Sequence, residues 1–119
     1  QITHGPISGE VSATAVTLWA RGNVTGTLEF TLSSTAAFTD TLATGTVAIT
    51  PAADFIGQAR LTALTPGTRY HYNITLTDGE NASETVAGAF QTAPDTEVAA
   101  PFSFTFGGDI GGQNFCRSV

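Results

Sequence analysis

Lysine is missing from this 119-residue chain, and Arg21, Arg60, Arg69 and Arg117 are its only permanent cations. Against ten acidic residues they leave a net charge of −6. Proteins that grip a phosphate backbone do so with clustered Lys and Arg that release counterions, and no such cluster is present. Nucleic acid is not an expected partner, and an acidic surface does little to attract anionic lipid. The single cysteine, Cys116, cannot close an internal disulfide, so thiol usage leaves the redox compartment open. Long apolar runs are also missing. No stretch reaches the roughly 20 residues needed to span a bilayer, and no basic segment followed by an apolar one marks a signal peptide. Starting at Gln1 rather than Met, the chain reads as a mature product or an excised piece. Its length fits one domain, with enough buried area for one modest core without disulfide staples.

Helix signals are nearly absent too. Thr, Val, Gly and aromatic residues dominate, in period-2 segments separated by turn clusters. Val11 and "AVTLWAR" (15–21) read as strands or their starts. "GTLEFTLSS" places Leu28, Phe30 and Leu32 on one face, and "GTVAIT" does the same for Val47 and Ile49 before Pro51 breaks the run. "IGQARLTAL" turns Ala59 and Leu61 inward. "TRYHYNITL" sets Tyr70, Tyr72, Ile74 and Leu76 against Arg69, His71, Asn73 and Thr75 on the other side. After the turn "DGENAS", "ETVAGAFQT" closes the set with Val86, Gly88 and Phe90 in phase. About seven strands at this spacing predict an all-β, immunoglobulin-like sandwich over residues 1–94.

Two local features sharpen this reading. "LTPGTRY" (64–70) has the form of a tyrosine corner, in which Pro66 and Gly67 carry the chain between sheets and the Tyr70 hydroxyl returns to upstream backbone. Trp19 falls on the face opposite Val16, Leu18 and Ala20, hence on the outside, where it lies under a loop or terminus or meets a partner. Asn23, Asn73 and Asn81 each open an Asn-x-Ser/Thr sequon, which in a Thr-rich chain is expected by chance.

Beyond "AFQTAP" the character changes. Residues 95–101, "DTEVAAP", read as a linker. "FSFTF" then alternates Phe102, Phe104 and Phe106, which want a sheet face to cover them, and "GGDIGGQNFCRSV" follows. In this order, "THGPISGEVSATAVTLWARG", "GAFQTAP" and "FTFGGDIGGQ" resemble the N-terminal part of the alkaline phosphatase D (PhoD-like) family of phosphatases and phosphodiesterases. That resemblance implies a fibronectin type III-like sandwich, then the linker, then over 102–119 the opening strand and metal loop of a truncated metallophosphatase domain.

It also implies roles. Asp109 would be the first metal ligand, and a hard carboxylate there suits calcium or an iron-type ion; without the family, Asp109 reads as a turn residue in a glycine-rich loop. Cys116 is a second candidate ligand, since some relatives use a cysteine for iron just after this strand, although here it lies seven residues beyond Asp109. Arg117 could hold a phosphate or be a solvated charge. Calcium and iron are implied for the full-length parent, and no cofactor is expected for this chain alone.

Two-metal ester hydrolysis needs several ligands around ions about 3.5–4 Å apart. His4 and His71 are remote in sequence from Asp109, and no Ser-His-Asp set, P-loop or dinucleotide fingerprint is present. The chain by itself is expected to hydrolyse nothing. The resemblance implies an accessory domain of a secreted or periplasmic phosphoesterase, often exported by the twin-arginine route, acting on phosphate esters for phosphorus scavenging. The catalytic domain of the same polypeptide would be its partner, with Trp19 and the outer face of the Tyr70–Leu76 strand as candidate contacts. The alternative is a stand-alone immunoglobulin-like binding or adhesion module.

Overall fold

The computed structural model describes residues 1–79, 84–97, 99–101 and 103, and among them seven strands form two antiparallel sheets. The strands are β1 (Ile2–Gly9), β2 (Val16–Gly22), β3 (Gly26–Ser33), β4 (Ala43–Ile49), β5 (Ile56–Leu61), β6 (Arg69–Thr77) and β7 (Glu84–Gln91). One sheet runs β1-β2-β5 and the other β4-β3-β6-β7. A single 3-10 turn, Pro51–Ala53, leads from β4 towards β5. The expected strand through Phe102–Phe106, and with it Asp109 and Cys116, lies outside the described residues.

The alternation read from the sequence sets the packing. Val16, Leu18 and Ala20 from one sheet meet Leu28, Phe30, Leu32, Ile49, Ile74 and Leu76 from the other, all of them buried. Burying side chains of this size contributes about 1.5–3 kcal/mol each relative to exposure. Leu61 joins this layer, with Ala59, Val47 and Val86 partly buried against it. At one end the rings of Tyr70 and Phe90 stack with centroids 5.6 Å apart, and Tyr72 lies 6.1 Å from Phe90. Tyr72 faces Gly88 across the β6–β7 ladder, and a Cβ at Gly88 would run into its ring. The glycine in the "VAGAF" run therefore makes room for an aromatic on the neighbouring strand.

One strand lies elsewhere than the sequence pattern placed it. The first strand is Ile2–Gly9, and Val11 belongs to the exposed loop that follows. A cis Gly5–Pro6 bond and two register shifts interrupt β1, and its two isoleucines fall on opposite faces. Period-2 alternation is therefore invisible there. Pairing with β2 holds the strand, and the Ile2 amide donates to the Glu84 carboxylate at 2.8 Å, tying β1 to β7 of the other sheet.

The corner forms as read. Gly67 takes the left-handed conformation at φ 59°, which costs glycine nothing. The Thr65 amide donates to the Tyr70 hydroxyl at 2.9 Å. At the next peptide unit, between Thr65 and Pro66, the buried Thr92 hydroxyl donates to the Thr65 carbonyl at 2.7 Å and accepts from the Thr68 amide at 2.9 Å. Replacing Tyr70→Phe leaves the Thr65 amide without its acceptor in a part-buried site and should cost about 1–2 kcal/mol. Thermal unfolding of the variant tests this, and an unchanged Tm would show that water replaces the hydroxyl without loss.

A second polar knot closes the β3–β4 loop. Asp40 accepts from the Ser33 hydroxyl, from the Ser34 hydroxyl at 2.6 Å and from the Ser34 amide at 3.1 Å. These bonds, the Ser33 hydroxyl first, hold the Asp40 carboxyl below the usual carboxylate range. A depressed native pKa gives stability that is present above the unfolded carboxyl pKa of about 3.9 and is lost as pH falls through the native value. Asp40→Asn should lower Tm at pH 7 and flatten the decline of Tm on acidification below about pH 4; parallel wild-type and variant curves would count against this role.

Candidate functional site

No group of three or more His, Cys, Asp or Glu side chains converges as a metal would require, among the described residues. His4 sits on β1 with its Nδ1 3.0 Å from the Thr3 hydroxyl, while His71 lies on β6 in the other sheet, paired in register with Ala89 and Ser33. The structure does not bring the two histidines together. Functional candidates among the described residues therefore reduce to the two outer sheet faces and the point where the chain leaves the sandwich.

Along β2 the outward positions are Thr17, Trp19 and Arg21, some 13 Å from first to last at strand spacing. Trp19, half-buried, pairs with Ile7 on β1 and Gln58 on β5. Ile7 is 52% exposed, the most exposed large hydrophobic side chain of the described residues. The row Ile7–Trp19–Gln58 thus crosses the whole three-stranded sheet with an apolar centre. Trp19 was expected on the outside, and it is there.

An ion pair closes each end of this row. On one side Arg60 donates to the Thr17 hydroxyl at 3.1 Å and lies 3.6 Å from Glu10, which itself accepts from Thr17 at 2.9 Å. On the other side Arg21 takes both Asp54 carboxylate oxygens, Nη2 to Oδ1 at 2.8 Å and Nε to Oδ2 at 3.1 Å, and also reaches the Asp54 carbonyl at 3.1 Å. This fork-on-carboxylate contact holds the Asp54 carboxyl low and the Arg21 guanidinium high, with the His4 charge adding a smaller push on Asp54.

The pair also stabilises a strained entry to β5. Asp54 and Phe55 both have positive φ, at 52° and 55°. Asp tolerates that region, whereas for Phe it costs on the order of 1–3 kcal/mol. Phe55 stays there because its amide donates to the Thr50 carbonyl at 2.9 Å, its carbonyl accepts from the Gly22 amide at 3.0 Å, and its ring packs on the core. Sequence reading missed the Arg21–Asp54 pair. The available signal was register: with Arg21 opposite Ile56, an acid two residues earlier falls within reach of the guanidinium.

The outer face of the four-stranded sheet is different. Arg69, His71, Asn73 and Thr75 point outward as expected, beside Thr44, Thr46, Thr85, Ala87 and Ala89. Thr75 and Thr85 share a hydrogen bond at 2.9 Å. This surface also carries Glu29 and Thr31 of β3 and is rich in hydroxyls, and among the described residues no large apolar side chain stands on it.

The chain exit is fixed closely. The Thr92 amide donates to the Thr68 carbonyl at 3.0 Å, the Gly67 amide to the Ala93 carbonyl at 2.9 Å, and the Ala93 amide to the Ser12 carbonyl at 3.1 Å. Backbone bonding therefore holds the chain until Ala93, beside the β1–β2 loop. There Val11, Gln91, Thr92 and Pro94 line a groove with Pro101 and Ser103. The next segment departs from the same end of the sandwich that carries Glu10, Thr17 and Arg60.

The architecture has clear counterparts. The solved structure of PhoD superposes with a TM-score of 0.67 at 17% identity over 79% of this chain. The match takes in only 19% of the PhoD chain, so this chain spans about a fifth of that protein's length. The fn3 domain of the human collagen alpha-1(XX) chain matches with a TM-score of 0.56 at 20% identity, covering 89% of this chain and 94% of that domain. A sensor domain of the anti-sigma factor RsgI4 of Pseudobacteroides cellulosolvens matches at 0.52 and 16% identity, over 79% and 94% respectively. At such identities the likeness is one of fold, a fibronectin type III-like β-sandwich. A search of curated protein sequences returns no match. The sequence profile of the PhoD-like phosphatase N-terminal domain, however, matches residues 1–94, and the chain belongs to that family.

Proposed function

We propose that this chain contributes the accessory sandwich of an exported, metal-dependent phosphoesterase whose hydrolytic residues are carried by the polypeptide after the linker at residues 95–101. The observation that carries this reading is the family match over residues 1–94. The fixed exit at Ala93 fits it, because the backbone bonds to Gly67 and Ser12 set the direction in which the following polypeptide leaves the sandwich.

In this reading Asp109 and Cys116 belong to the metal loop of the downstream domain, with calcium and iron as the metals and phosphate esters as substrates. Metals there would supply polarisation of the phosphoryl oxygens and a bound water of lowered pKa. The sandwich itself is assigned no step of hydrolysis, since its described residues offer no metal-ligand cluster. It contributes a rigid mount and a surface beside the reacting domain. Export is what membership of this family suggests.

A free-standing binding module is the competing reading, and the collagen match over nearly all of an fn3 domain is what favours it. The coding sequence beyond Val119 separates the two: the phosphoesterase reading requires further Gly-Asp, Asn-bearing and His-bearing metal motifs there, and a stop codon would favour the module. A direct assay with phosphomonoester and phosphodiester substrates, calcium and iron should find turnover by the extended chain and none by residues 1–119. Turnover by the short chain, or an inactive extended chain replete with metal, would overturn the proposal.

A further inference from the structure

We infer that the outer face of β1-β2-β5, centred on Trp19 and Ile7, is the surface on which the following phosphoesterase domain docks, and that the opposite sheet stays free. This rests on the accessory-domain reading above. Of the two outer faces, only this one has the anatomy of an interface. A half-buried tryptophan and an exposed isoleucine sit side by side at its centre. Arg21–Asp54 and Arg60–Glu10 flank them as pre-formed polar pairs. Binding energy in protein interfaces concentrates on central aromatic anchors surrounded by polar contacts that exclude water. Both arginines are already neutralised by their own carboxylates, so covering them leaves no unpaired charge.

The occupant follows from where the chain leaves. Ala93 is bonded to Ser12 in the loop that connects β1 to β2, and Glu10 of that loop is bonded to Thr17, two residues along β2 from Trp19. Whatever follows the linker thus leaves from the end of the sandwich where the β1–β2 loop bounds this face, with Pro101 and Ser103 beside Val11 of that loop. An apolar centre of two side chains is small for a free partner, since stable complexes bury about 1,200–2,000 Å² in total. For a domain on a short linker it is sufficient, because tethering supplies an effective concentration of order mM.

The test uses the full chain extended through the phosphoesterase domain, compared with residues 1–119. Hydroxyl-radical footprinting should find Trp19 oxidised at least about fivefold more slowly in the long chain, as for an anchor at an interface centre. Gln58→Glu, an exposed position in the same row, should return Trp19 oxidation towards the short-chain rate and speed proteolysis of the 95–101 linker in the long chain. Thr44→Glu on the other sheet should change neither. Equal oxidation of Trp19 in both chains, protection that grows with protein concentration as for a second copy, or loss of protection in Thr44→Glu would each overturn the docking face. Protection of Trp19 in a long chain that hydrolyses no phosphate ester would keep the face and overturn the phosphoesterase reading instead.

Discussion

Thr65 is held through both of its backbone groups, its amide by Tyr70 and its carbonyl by Thr92, and the corner between the two sheets depends on that grip. Thr65 lies where the chain crosses from the three-stranded sheet to the four-stranded one. A crossing between sheets leaves backbone groups that no ladder satisfies, each costing about 1–3 kcal/mol where it is buried. Here two side chains from different strands meet the need. Tyr70 belongs to β6 and Thr92 follows β7, so the corner, a central strand and the edge strand are locked together. The lock extends outward, because Thr92 is also the residue whose backbone starts the fixed exit. Loosening the corner would therefore loosen the direction in which the next segment leaves.

Much of this was legible in the sequence. Six of the strands announced themselves through alternating apolar residues, and the corner through Leu64, Pro66, Gly67 and Tyr70, because burial on one face and a forced turn both leave compositional marks. β1 left none. Its pairing is made by backbone groups across a cis Gly5–Pro6 bond, and backbone bonding is independent of side-chain type. The Arg21–Asp54 pair was hidden for another reason: its members are far apart in sequence and meet only once the β2–β5 register is fixed. Trp19 shows the limit most clearly. Parity along the strand placed it outside, but its neighbours Ile7 and Gln58, and with them the character of the face, come from strands whose order no local pattern encodes. The metal-loop candidates Asp109 and Cys116 lie outside the described residues and rest on family resemblance.

The two outer faces reflect two ways of ending a small sandwich. On the four-stranded sheet, threonines and alanines stand beside Glu29, Arg69 and His71, a polar face with no apolar centre among the described residues. On the three-stranded sheet, charge is spent locally: two of the four arginines are engaged with carboxylates of their own chain, and the largest side chain of the protein is left between them. An acidic domain with no lysine has little positive potential with which to steer a distant partner. With both of its arginines paired to carboxylates, the centre of this face offers shape and apolar contact, which act only at close range. Short-range recognition suits a neighbour already delivered by the chain. Orientation, rather than affinity, then becomes what the sandwich has to provide, and the backbone bonds of Thr92 to Thr68 and of Ala93 to Ser12 and Gly67 supply it: every residue ordered before docking is one whose entropy, about 1–2 kcal/mol of backbone freedom, is not lost on contact.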